Sequence, residues 1–464
     1  MKIFAAVFLL FISTSVISSQ QLSKSDERYI DSLMSSKYKP EAPGAVILAA
    51  RDGKVMFMKG YGLANMELSV PVRPEYIFPV ASITKQFTAV SLLQLVQKGQ
   101  VSLQDDIRKY LPDLNTHGRK ITLEQLLTHT GGLNSFSGKP SFRKQRHYNF
   151  SKDELVKLIE EDTLLFEPGQ GWSYSNSGYS LLGLVVEKVS GITLHDYYKK
   201  NIFKPLKMDH TYIGTNEKVI PGFVPYYTRD GQGGFKPGSF FSFSWLYGSG
   251  DLLSCADDML KWDEALYSDI LLKEELRKKA WTSSVLQNGQ KTNYGFGWEM
   301  GTYNGMEVIR HDGILGYLSD AIRIPEKHIF VTILSNNNGV NPNNLSAEIA
   351  LRLAGESLGR KVSGNPGREK MQEYTGTYEI SQSATGRSYR QIVLENDTLY
   401  SQSKEEGKLR LSYAGNDKLA FDGYNYVMEF HRDKSGKIEY VEIFEQPVNY
   451  GPNEVEKKVY NKNL

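Results

Sequence analysis

Around Ser363-Gly364-Asn365-Pro366-Gly367 the chain changes character, and that break constrains its folding more than any other feature. Ahead of it, from about Gln20 to Ala354, strand-like, helix-like and polar loop segments mix. Behind it, short apolar-alternating runs recur about every ten residues. They are separated by Glu395-Asn396-Asp397, Gly415-Asn416-Asp417, Asp422-Gly423 and Asp433 to Gly436. The first pattern predicts a mixed α/β unit, the second an antiparallel meander closing into a small barrel. A length of 464 residues agrees, because one ordinary core rarely grows so large. Cys255 is the single cysteine, so no intrachain disulfide can form and packing must hold both units.

The N-terminus reads as a processing segment. Lys2 precedes a mostly apolar run, Ile3 to Val16, too short to span a bilayer comfortably, and the small residues Ser18 and Ser19 follow. This predicts a secretory signal peptide over residues 1–19, and export to the periplasm or the exterior. No second membrane-spanning segment is expected. Lys plus Arg total 55 and Asp plus Glu 53, a balance that argues against a nucleic-acid partner.

Local patterns place the elements. Ala45 to Ala50, Arg51 to Lys54 and Val55 to Met58 read as strand, turn, strand. Ser82 to Gln97 reads as an amphipathic helix with Phe87, Val90, Leu93, Leu95 and Val96 apolar, closed by Gly99. Ser180 to Val189 reads as a more buried helix ended by Gly191. Val308 to Ile309, Asp320 to Ile324 and Ile329 to Leu334 read as strands.

The chain has no G-x-S-x-G, H-E-x-x-H, G-x-x-x-x-G-K-[ST] or G-x-G-x-x-G, which counts against several common enzyme classes. What stands out is Ser82-Ile83-Thr84-Lys85. A serine hydroxyl needs a base beside it, and residues three apart on a helix share a face. A helix start also offers free N–H groups, so the Ser82 amide can form half of an oxyanion hole. Lysine also follows Ser36, Ser141 and Ser401 at this spacing, but only Ser82 opens a long apolar helix behind a hydrophobic run. Tyr174-Ser175-Asn176 supplies a second element. A tyrosine near two cations is pushed toward phenolate, and the Asn176 amide can hold a substrate carbonyl and orient the lysine. His311-Asp312-Gly313 ends a strand and supplies the third. Gly313 lets a substrate backbone lie close, and His311 can steady the tyrosine or meet an anion.

In this order the elements resemble the serine β-lactamase and penicillin-binding-protein superfamily, in its class C β-lactamase, DD-peptidase and family VIII esterase branch. S-x-x-K is matched by Ser82/Lys85, Y-x-N by Tyr174/Asn176 and [KH]-x-G by His311/Gly313. Leu126 to Leu133 (LLTHTGGL), Tyr294 to Trp298 (YGFGW) and Leu334-Ser335-Asn336 read as family text too. The resemblance covers about residues 25–355. It implies an α/β fold: an antiparallel sheet flanked by helices with an all-helical insertion, in which Ser82 is the nucleophile and Lys85 and Tyr174 handle protons. It also implies that Ile314 gives the second oxyanion amide, and that no metal or organic cofactor is needed. Which of Lys85 and Tyr174 is the base stays open. Tyr374-Thr375-Gly376-Thr377-Tyr378 is similar to the opening of a lipocalin-like barrel appended to some members. The expected division is therefore 1–19 signal peptide, 20–360 hydrolase domain, 361–369 linker and 370–464 C-terminal antiparallel β-barrel.

The expected substrate is a small molecule or short peptide, of cell-wall origin among the options, with the oligomeric state open. Asp312 should repel a substrate carboxylate unless Arg310 pairs with it. That favours a peptidase or esterase over a β-lactamase. A non-catalytic binding scaffold, and a barrel that carries a hydrophobic ligand, are the rivals. His129 and Cys255 are expected to be structural, and Trp245 and Tyr247 either to line the substrate cleft or to pack in the core or at its rim.

Overall fold

A two-residue turn starts the main sheet. Asp52 and Gly53 both take positive φ, 51° and 69°, the pairing that lets two strands reverse tightly. They join β1 (Ala45–Arg51) to β2 (Lys54–Tyr61). Four later strands complete the sheet: β3 (Glu299–Tyr303), β4 (Met306–Leu315), β5 (Tyr317–Ile324) and β6 (Ile329–Ser335). The order is β3-β4-β5-β6-β1-β2, antiparallel throughout. This computed structural model describes residues 22–303, 305–356, 366–380, 388–403, 407–421, 426–445 and 454–459. The expected signal peptide lies outside the described residues, as does the Asp422-Gly423 turn.

Five helices bear on the site: α1 (Lys24–Lys37), α2 (Thr84–Gln97), α3 (Asn176–Ser190), α4 (Leu194–Tyr198) and α5 (Asn343–Leu353). Successive strand residues point to opposite faces. Ala45, Ile47 and Ala49 therefore join Ile30 and Met34 of α1 and Ile349 of α5 in one core. Val46, Leu48 and Ala50 join Phe87 and Val90 of α2 in the other. Helices on both faces explain why AVILAA runs apolar without alternation.

The expected amphipathic helix is a correction. α2 is buried from Thr84 to Leu95 on all sides, polar residues included. It lies between the sheet and the helical part of the chain, so its polar groups need partners inside. Trp262 Nε1 donates to Gln86 Oε1 at 2.9 Å, and Ser91 donates to the Phe87 carbonyl at 2.8 Å. Ser82 itself sits in a 3₁₀ turn, Ala81–Ile83, ahead of the α-helix.

The C-terminal strands form a closed antiparallel barrel of eight, from Gly376–Ile380 to Glu454–Val459, each paired with the next and the last with the first. Asn396-Asp397 and Asn416-Asp417 make the expected turns with φ near 46° and 57° in both. Ile392, Leu399, Leu411, Leu419, Met428, Phe430 and Val441 build its core, joined by Met371 and Tyr374 from the helix Arg368–Tyr374. No helix among the described residues is long and apolar enough to cross a membrane.

One buried ion pair ties the sheet to α5. Arg310 Nη2 donates to Asp320 Oδ1 at 2.6 Å, and Ser346 of α5 donates to the other carboxylate oxygen. Burial pushes the Asp320 carboxyl up to about 6, against the pull of Arg310. Asp320→Ala leaves a buried guanidinium short of its counter-charge, so a loss of about 3–5 kcal/mol is expected. A urea titration with an unchanged slope and a lower midpoint reads this directly.

Candidate active site

The site begins with a strained turn. Val80 N donates to the Leu252 carbonyl at 3.0 Å, Leu252 N donates to Thr84 Oγ1 at 3.1 Å, and Ser319 Oγ donates to the Val80 carbonyl at 2.9 Å. Between these anchors Ala81 takes φ 46°, a left-handed conformation that a residue with a Cβ seldom holds. The chain thereby turns from the strand Phe78–Pro79 into α2 within a few residues, presenting Ser82 part-exposed at the turn.

Lys85 is fully buried beneath it. Its Nζ donates to Ser82 Oγ at 3.1 Å and to the Ser249 carbonyl at 2.7 Å. Burial pulls the amine well below the usual lysine range, and the carboxylates of Asp312 and Asp251 only partly oppose this. An amine whose proton is easily lost, within reach of a serine hydroxyl, has the placement a general base requires.

Tyr174 also reaches the Ser82 side chain. Lys85 Nζ stands 4.7 Å from the centre of its ring. The expectation of a phenolate is corrected here. Burial drives the Tyr174 hydroxyl well above 10, the bond to Ser82 only moderates this, and the charges of Asp312 and Glu299 add to the rise. Burial works against the charged forms of the cations that should have stabilised a phenolate. Lys85 is pulled toward its neutral form, and burial with the nearby lysine lowers His311 to about 4.

Asn176 opens α3, and its Nδ2 donates to Ser137 Oγ at 2.9 Å while its amide donates to Ser135 Oγ at 3.1 Å. The acceptor that shares Lys85 with Ser82 is therefore the Ser249 carbonyl, not Asn176. His311 Nε2 meets the Tyr294 hydroxyl at 2.9 Å and its Nδ1 meets the Asp312 carbonyl at 2.6 Å. His311 thus steadies Tyr294 rather than Tyr174. Glu299, His311 and Asp312 bring ligand atoms within 4.8 Å of one another, but both ring nitrogens are already engaged, and the group carries no metal assignment.

Gly313 differs in what it accommodates. A methyl there would strike the Val80 carbonyl oxygen and the Ser319 hydroxyl, and would lie 3.0 Å from Ala81 Cβ. The close neighbour is the segment that carries Ser82. β3 pairs with β4 only from Met306 to Arg310, so His311 to Leu315 run on past its end beside Ser82. Ile314 is 67% exposed on that stretch. Arg310 turns to Asp320 at 2.6 Å, whereas Asp312 receives the Asn343 amide at 2.9 Å. The supposed Arg310 partner of Asp312 is thus engaged elsewhere in the sheet.

His129 is the residue whose place the sequence reading missed. Its ring centre lies 4.5 Å from that of Tyr174 and 4.6 Å from that of Tyr294. Nδ1 accepts from the Ser175 amide at 3.1 Å, while Nε2 is buried without a partner. Burial, with the Lys85 charge, holds it well below the usual imidazole range. Tyr294 was legible only as family text. Cys255 is buried as expected, its thiol raised to about 11 by that burial, and Trp245 and Tyr247 are buried in the core.

Residues 27–356 match the model of the Beta-lactamase family. The chain is 26% identical to a penicillin-binding protein of Bacillus subtilis (strain 168) over 437 residues, 88% of this chain and 94% of that protein. Among solved structures it is similar to the octameric penicillin-binding protein homologue from Pyrococcus abyssi, with a TM-score of 0.65, 25% identity, and coverage of 93% of this chain and 99% of that one. A D-stereospecific amidohydrolase from Streptomyces sp. gives a TM-score of 0.60 at 26% identity, over 71% of this chain and 98% of that one. An antiparallel sheet flanked by helices defines a β-lactamase-like fold, and in it a lysine meets a serine at the start of a helix. The chain belongs to the Beta-lactamase family.

Proposed function

We propose that this chain is a serine hydrolase acting through an acyl-enzyme on amide or ester bonds, as a peptidase or esterase. The observation that carries the reading is the 3.1 Å contact from buried Lys85 Nζ to Ser82 Oγ. Neutral Lys85 takes the hydroxyl proton as Oγ adds to the substrate carbonyl. The amides of Ser82 and Ile314 receive the oxyanion. When the carbonyl re-forms, the C–N or C–O bond breaks, and the proton passes to the departing amine or alcohol. Tyr174, a neutral phenol beside Ser82, relays that proton. Water then attacks the acyl-enzyme and gives Lys85 a proton; as the acyl C–Oγ bond breaks, Lys85 returns that proton to Ser82 Oγ and the acid is released. Asn176 and His311 line the cleft, with Gly313 keeping the β4 edge close to the nucleophile.

The substrate class follows from charge. The Asp312 carboxylate is fixed by Asn343, and Arg310 is engaged with Asp320. A substrate carboxylate near Asp312 meets repulsion, whereas an amine meets attraction. D-aminoacyl amides and short peptides with a free amine fit, in line with the D-stereospecific amidohydrolase among the relatives. Export behind a signal peptide over 1–19, a hydrolase domain over 20–360, a linker over 361–369 and a lipocalin-like barrel over 370–464 belong to the same proposal.

A panel of D- and L-aminoacyl amides, short esters and penicillins tests it, with Ser82→Ala as the blank. The expected result is Ser82-dependent turnover of amides or esters, with penicillins slower by on the order of 100-fold or more. Efficient penicillin hydrolysis would overturn the substrate assignment. Turnover of none, with binding retained, would favour a non-catalytic scaffold.

A further inference from the structure

We propose that Asp251, held by His195, is a positioning residue that tunes Lys85, an inference that rests on Lys85 acting as the base of Ser82. The turn that presents the Ser249 carbonyl to Lys85 is tightly held. Ser249 and Gly250 amides both donate to the Leu246 carbonyl at 2.8 Å. Thr88 Oγ1 of α2 donates to the Gly248 carbonyl at 2.5 Å, and Ser180 Oγ of α3 donates to the Tyr247 carbonyl at 2.8 Å. Asp251 closes the turn from inside: its Oδ2 accepts the Gly248 amide at 3.3 Å and meets His195 Nε2 at 2.7 Å. His195, on α4, reaches the surface, with its side chain 31% exposed. A line of contacts thus runs from a half-buried imidazole, through a buried carboxylate and one turn, to the amine on the nucleophile.

Asp251 is 1% exposed, and its Oδ1 is buried with no hydrogen-bond partner. A buried carboxylate oxygen left unpaired costs free energy, and several backbone bonds already hold this turn without it. Its use lies in its charge. Asp251 acts on Lys85 through space, alongside Asp312 on the other side. Tyr198 and Tyr247 also face Asp251. Around His195 stand Asp196 and the Tyr247 ring at 5.3 Å, with Lys152 4.9 Å from that ring and paired to Glu187. His129 and His311 face Lys85 on its own side of the site.

The signs are definite. The Asp251 carboxylate favours the ammonium form of Lys85, and a proton on His195 would cancel part of that field. Asp251→Asn keeps an acceptor for Gly248 but removes the charge, so Lys85 should lose its proton at lower pH. His195→Gln keeps a donor to the carboxylate but can hold no charge, so Lys85 should lose its proton at no lower pH than in the wild type.

The test is a ¹³C NMR titration of the full chain carrying label at the lysine ε-carbons, with Lys85 assigned by Lys85→Arg. The expected result is a Lys85 midpoint about one pH unit lower in Asp251→Asn and no lower than wild type in His195→Gln. The acid limb of kcat/KM should follow. A Lys85 midpoint unmoved in folded Asp251→Asn, or lowered by both variants, would overturn the proposal, because a merely structural role predicts no such split. The hydrolase reading is judged separately. If Ser82 accepts no acyl group while the titrations part as described, that reading fails and the Asp251 assignment stands.

Discussion

Lys85→Ala is expected to lower kcat/KM by on the order of 10⁴-fold, the scale lost when a base is removed from a nucleophile that depends on it. Lys85 Nζ bonds two acceptors, Ser82 Oγ and the Ser249 carbonyl, and no solvent reaches it. Tyr174 cannot substitute, because burial and the nearby carboxylates hold its hydroxyl well above the range in which a phenolate forms. Lys85→Arg is the informative companion. A guanidinium keeps charge and donors but does not give up a proton, so it should be as inactive as alanine. Activity of Lys85→Arg within tenfold of wild type would mean that Lys85 serves only as a charge.

Gly313→Ala is the second large effect, and it should fall on turnover more than on folding. The added methyl meets the Val80 carbonyl oxygen, the Ser319 hydroxyl and Ala81 Cβ, none of them the end of a long flexible chain. β4 must then move away from the turn that carries Ser82. Two amides on different segments, Ser82 and Ile314, lose their common focus. Loss of one oxyanion donor is worth about 10²–10³ in kcat. Overpacking of this kind costs about 1–3 kcal/mol of stability. Kinetics beside urea unfolding separates the two. A variant as active as wild type would show that the oxyanion does not lie between these segments.

The pairing of Ser82 with Lys85 was more legible in the sequence than the packing around it. Ser82 and Lys85 announce themselves by spacing at a helix start, and the Asp52-Gly53 and Asn416-Asp417 turns by their residue types. Each of these signals is local. What escaped depends on contacts across the chain. α2 looks amphipathic because Lys85, Gln86 and Thr88 are polar, yet each has a buried partner supplied from elsewhere. His129 reads as a turn histidine until the Ser175 amide brings it against Tyr174. Arg310 and Asp312 share a strand, but the register of β4 on β5 gives the arginine to Asp320. Tyr174 looked like a phenolate because its cationic neighbours were counted and its own burial was not.

The most direct test of the central claim is intact-mass spectrometry after exposure to a fluorophosphonate serine probe, for wild type beside Ser82→Ala. The expected result is one adduct in the wild-type protein, mapping to Ser82 and missing from the variant. An adduct on another serine, or none from a folded protein that a smaller probe also leaves unlabelled, would contradict it.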